Sequence, residues 1–155
     1  MSAPELSDEQ RAALQSLVTS NRLRVVPSDL DKAERFFFQS QEALNEVSKI
    51  EGSKLKHSIA YDCAHDIAEA ILAAYGFSTT NGNGQHQTLA EVLVVFFAGT
   101  EAEIAAENFE QLRSERNSSR YRSIPIGQAQ AELAVQCAKT LLNVCEMIGL
   151  KVRPV

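Results

Sequence analysis

Residues 54–76 read KLKHSIAYDCAHDIAEAILAAYG. The stretch is rich in alanine and free of proline, which predicts one long helix, and Gly76 is placed to end it at the C′ position. Ala60, Ala64, Ile67, Ala68, Ile71, Leu72 and Tyr75 recur at helical spacing and form one apolar stripe. Small side chains in that stripe let neighbouring helices approach closely. The opposite face carries Asp62, His65, Asp66 and Glu69. It reads either as a solvated face or as the wall of a cleft that would meet a cationic partner.

Working outward, helix signals dominate the chain. Ser7 with Gln10 is a capping-box pattern that opens a helix to about Ser20. Pro27 and Ser28 precede a second helix running to about Glu51, within which Phe36, Phe37 and Phe38 cover three directions, two expected in the core and one at an interface. STTNGNGQHQ, residues 78–87, reads as a mobile loop, because no alternating strand pattern flanks its Asn-Gly repeats. Thr88 with Glu91 and Thr100 with Glu103 are two more capping boxes. They predict a short helix over 88–97 and a longer one over 101–121. Pro125 marks a break before a last helix from about Gly127 to Ile148, ended by Gly149. The expectation is one all-α domain over 1–155, an antiparallel helical bundle of four main helices plus one or two short ones. Its core would span about 28–148, with residues 1–27 forming an N-terminal helix and connector.

Composition narrows the function classes. The net charge is -5, so the surface as a whole does not attract nucleic acid or an anionic membrane, and any polyanion site must be local. The charge is segregated: between Lys56 and Arg113 there is no Lys or Arg, yet eight acids lie there. The sign then reverses in RSERNSSRYR, residues 113–122, which holds four arginines. Cys63, Cys137 and Cys145 show no C-x-x-C pattern. Cys137 and Cys145 would lie roughly 12 Å apart on one helix, too far to bridge, so buried thiols of a cytoplasmic protein are expected. The polar, acidic N-terminus does not resemble a signal peptide, and no apolar run approaches a membrane span.

Candidate chemistry centres on the arginines. Ala105, Phe109 and Leu112 make a buried stripe, and Arg116 and Arg120 continue it. A guanidinium carried inward needs a carboxylate, carbonyls or a bound anion. Alternatively the helix leaves the core there and its arginines snorkel into water. Asp62 or Asp66 would be the carboxylate partner in a purely structural reading. The last helix has two apolar directions: Ala134, Cys137, Leu141, Val144 and Ile148 define one, while Val135 and Leu142 point elsewhere. That suggests a second subunit on one side. His57 and His86 read as surface or loop residues. His65 and Glu69 are spaced i,i+4, but no second His shares their face, so neither a metal nor another cofactor is expected. NGNG lacks the Lys-Ser/Thr and preceding strand of a phosphate loop.

RNSSRY, Arg116 to Tyr121, resembles the signature of the HEPN superfamily, the higher eukaryote and prokaryote nucleotide-binding domains: Arg, often Asn, three variable residues, then His or, in many minimal members, Tyr. AYDCAHDIAEAIL, residues 60–72, is similar to the family's Ala- and Tyr-rich core helix, and the amphipathic helix after RSIPIG also fits. The resemblance covers roughly residues 28–148. It implies a four- to five-helix homodimer. In the family's active members it implies metal-independent RNA cleavage, with the Arg on the scissile phosphate and the His acting on the 2′-hydroxyl or the leaving group. Here Tyr121 stands where that His would be, and a phenol titrating near pH ~10 is a poor base at neutrality. The site the resemblance implies is Arg116, Asn117 and Tyr121, with Arg116 and Tyr121 as the catalytic pair; helical phase adds Arg113 and Arg120 around a ligand, and the polar stripe of the 54–76 helix adds Asp62, His65 and Asp66. The expected function is binding of RNA, a nucleotide or another anion, in a toxin–antitoxin or stress system, with an antitoxin or nucleotidyltransferase as partner protein. Rival expectations are an atypical endoribonuclease and a non-catalytic protein-interaction module.

Overall fold

The computed structural model describes residues 3–80 and 84–150. In chain order the elements are α1 (Asp8–Thr19), β1 (Leu23–Val25), α2 (Leu30–Val47), α3 (Ser53–Tyr75), β2 (Phe77–Thr79), α4 (Gln85–Phe97), the five-residue α5 (Glu103–Glu107), α6 (Phe109–Arg122) and α7 (Gln128–Met147). The protein is a mostly helical bundle with one small two-stranded sheet.

The 54–76 stretch is the hub. α3 packs chiefly against α2 and α7, and also touches α4 and α6. Burial extends beyond the expected stripe to Tyr61, Cys63, Ala70, Ala73 and Ala74, so α3 is covered on most of its circumference. The alanines permit this because they let neighbouring helix backbones close in. One buried tie fixes α2 to α3: Ser40 Oγ donates to the Cys63 carbonyl at 3.2 Å, and Cys63 Sγ donates to the Ser40 carbonyl at 3.6 Å. All three cysteines are free and buried.

Gly76 does end α3, in the left-handed region at φ 80. A Cβ there would meet the Val26 carbonyl oxygen at 2.7 Å, so both conformation and space demand glycine. Two of the carbonyls at the end of α3 find donors in the β1–α2 connector: the Asp29 N–H reaches Ala73 at 2.9 Å, and Ser28 Oγ reaches Ala74 at 2.7 Å. Just beyond, Leu23 pairs with Thr79 and Val25 with Phe77 in an antiparallel ladder. This sheet departs from the all-α expectation. Each strand is three residues long, too short to show an alternating pattern.

Other boundaries move. Ser7 and Gln10 do form their capping box. Thr88 does not cap α4, which begins three residues earlier after Gly84; its hydroxyl instead donates to the Gly84 carbonyl at 3.2 Å. Thr100 does not open a long helix either. Its hydroxyl turns back to the Phe97 carbonyl at 2.7 Å, and the expected helix is split at Asn108 into α5 and α6. Of the 78–87 loop, Ser78 and Thr79 lie in β2, residues 85–87 open α4, and residues 81–83 fall outside the described residues. Phe37 is fully buried, Phe36 partly so, and Phe38 is exposed. Leu14, Leu17 and Leu23 join the same core, so the N-terminal segment is integral to it. Among the described residues no helix is long and apolar enough to cross a membrane.

Candidate functional site

The first turns of α3 and the last turns of α6 do not close on each other. Between them lies a cavity of about 290 Å³ lined by Lys54, His57 and Ser58 from α3, Arg116, Ser119 and Arg120 from α6, and Ile126 beyond it. No Asp or Glu belongs to that lining. Three of its residues are basic, and among the described residues Lys54 and Arg120 form no ion pair with a carboxylate.

Arg116 occupies the place its helical phase assigns. Phe109 and Leu112 are buried, and Phe109 stacks on the Tyr61 ring at 5.3 Å. One turn on, the Arg116 guanidinium lies over that same ring at 5.0 Å, a cation–π contact, with its side chain 25% exposed. Its approach to Asp62 is 4.0 Å, at the outer limit of an ion pair. The Asp62 carboxyl sits above its ordinary range because desolvation outweighs the pull of Arg116. The guanidinium is therefore supported by a ring and only lightly neutralised. The buried stripe then passes to Ser119, while Arg120, in line with Phe109, is exposed and reaches the cavity mouth.

His57 corrects the sequence reading most sharply. It is not a surface residue but 1% exposed, because it falls on the same stripe of α3 as Ala60 and Ala64. Its Nε2 stands 3.4 Å from Glu115 Oε1, and the other carboxylate oxygen accepts from Gln130 Nε2 of α7 at 2.5 Å. So the one acid within the arginine run does not line the cavity; it joins Gln130 of α7 to an imidazole at the cavity wall. The clue was available: His57 lies three residues before Ala60, and Glu115 three after Leu112.

The remaining expected residues disperse. Arg113 is held by Glu110, with bonds of 3.0 and 2.7 Å to one carboxylate oxygen. His65 lies 3.9 Å from Asp66, and its ring is 5.7 Å from that of His86. His86 is exposed, as expected, but opens α4, where Tyr61 Oη meets its Nδ1 at 3.2 Å. Partial desolvation where its ring meets Tyr61 and His65, together with the nearby Arg113 and Arg116 guanidinium groups, lowers the pKa of His86. Asn117 is half-buried and Tyr121 is 73% exposed beneath Arg120; neither lines the cavity. Among the described residues no group of three or more His, Cys, Asp or Glu is placed to hold a metal ion.

Chemically, the cavity suits an oxyanion. Guanidinium groups grip phosphate oxygens through paired N–H donors, lysine adds a mobile point charge, and Ser58 and Ser119 offer hydroxyls. The chain matches no protein-family model, no curated protein and no solved structure.

Proposed function

We propose that this protein binds a phosphate-bearing ligand, a short RNA or a nucleotide, in the cavity between α3 and α6, as a HEPN-like helical homodimer. The observation that carries the reading is the cavity lining: Lys54, Arg116 and Arg120 with no acid among the lining residues, and Glu115 engaged by His57. The likeness of RNSSRY to the HEPN signature supports the same ligand class. A second copy is supported by apolar side chains left uncovered on and just after α7, Leu133 at 46%, Met147 at 70% and Ile148 at 38% exposure. The test is binding of a short single-stranded RNA, followed by fluorescence anisotropy, to the wild type and to Arg116→Ala. The expected result is saturable binding that Arg116→Ala removes. Equal binding by both, or none by either, sinks the proposal.

One observation favours an enzymatic version. His57 is a buried imidazole held by a partly buried carboxylate at the wall of a cationic cavity, an arrangement that can pass a proton to or from a bound ligand. This version predicts cleavage of single-stranded RNA in EDTA that is lost in both Arg116→Ala and His57→Asn. A wild type that binds RNA without cleaving it removes the enzymatic version and leaves the binding function standing.

A further inference from the structure

Three of the acids between Lys56 and Arg113 gather at a second recess of the fold. A groove of about 500 Å³ runs between α1, α4 and the α5–α6 corner, on a floor formed by Ala13, Leu17, Ala90, Val94, Val95 and Ala106. Glu91, Glu107 and Glu110 rim it, and no lysine or arginine lines it. Their states differ. Glu91 is already paired with Arg22 at 2.7 Å. Glu107 is exposed and forms no ion pair among the described residues. Glu110 spends one oxygen on Arg113, while its Oε2 is shielded from solvent with no hydrogen-bond partner among the described residues. A shielded carboxylate oxygen without a donor is costly, and turning the carboxylate outward to meet an incoming cation would relieve that cost.

We infer that this groove docks a basic amphipathic helix of a partner protein, with apolar side chains on the floor and Lys or Arg against Glu107 and Glu110. An apolar trough takes a helix through anchors spaced i, i+3, i+4 and i+7. Charge complementarity selects the partner's sign and disfavours a second copy of this chain. A two-fold contact through the groove would set Glu107 and Glu110 against their own equivalents. Val94, 39% exposed on the floor, is the apolar contact most open to such a helix.

The probe is a fluorescein-labelled helical peptide of about 14 residues, roughly 21 Å long. Leu occupies the anchor positions and Lys the rest; a matched peptide carries Glu for Lys. The Leu/Lys peptide should bind the wild type and the Leu/Glu peptide should not. Val94→Arg, with its fold checked by circular dichroism, and the double variant Glu107→Gln/Glu110→Gln should each weaken binding roughly tenfold. Glu42→Gln/Glu146→Gln, an equal charge change outside the groove, should leave it unaltered. No Leu/Lys binding, or equal loss in the two double variants, overturns the inference. So does wild-type self-association that Val94→Arg abolishes, since the groove would then belong to a second copy.

Discussion

Two recesses of this small bundle, at opposite ends of α6, are opposites in the charge of their linings. At the end of α6 the cavity toward α3 is lined by Lys54, Arg116 and Arg120 and contains no acid; at its start the groove toward α4 is rimmed by Glu107 and Glu110 and contains no cation. The segregation of charge along the sequence is thus laid out in space as two surfaces of opposite sign. A chain of net charge -5 can in this way offer a local site to an anion without becoming basic overall. The two recesses also differ in support. The cationic side stands on a ring stack and on buried His57 held by Glu115, the acidic side on aliphatic side chains.

The largest effect should follow from breaking the packing at the start of α6. Phe109 is fully buried at the start of α6 and stacks on Tyr61 beneath Arg116. Phe109→Ala should cost about 3–5 kcal/mol in chemical denaturation. It should also weaken ligand binding, since the ring that carries the guanidinium loses its backing. Next is the acid within the arginine run. Glu115→Ala leaves the His57 imidazole and the Gln130 amide without their acceptor, at a cost of about 2 kcal/mol. Both variants should lower the melting temperature.

Arg116→Ala sharpens the contrast by separating stability from binding. A buried ion pair with Asp62 would make the substitution cost about 3–5 kcal/mol. The 4.0 Å separation and the contact with the Tyr61 ring predict instead a loss of about 1 kcal/mol. A melting temperature that falls as far as in Phe109→Ala would show that Arg116 is chiefly a structural pin. The smallest effect is chemical. The thiolate is the reactive form of cysteine, and burial pushes Cys63 up to about 12 and raises Cys137 and Cys145 as well. At pH ~8 the native protein should therefore leave a thiol reagent almost unconsumed, and release all three thiols only in denaturant. Rapid reaction of a native thiol would contradict the packing of α3 and α7 described above.

Much of the bundle was legible because its signals are local and periodic. The alanine-rich run of α3, the Gly76 stop and the Ser7–Gln10 box all act within one or two turns. What escaped depends on contacts distant in sequence. The ladder pairing Leu23 with Thr79 joins strands of three residues that carry no pattern of their own. Thr88 looked like a cap, yet Gly84 begins α4 earlier and the threonine hydroxyl folds back onto its carbonyl. The candidate site divided in the same way. Arg116 was legible from the phase of Phe109 and Leu112. The cavity around it was not, because Lys54 and His57 come from α3 and only the crossing of the two helices brings them to Arg120. Tyr121 drew attention by its place in RNSSRY, but in this fold it faces solvent.

The central claim is that Arg116 and its neighbours form an anion site, and the salt dependence of RNA binding tests it most directly. The affinity for a short single-stranded RNA should fall steeply as salt rises. In Arg116→Ala the slope of log affinity against log salt should shrink by about 0.7, the loss of one phosphate contact on a single strand. An identical slope and affinity in wild type and Arg116→Ala would contradict the account.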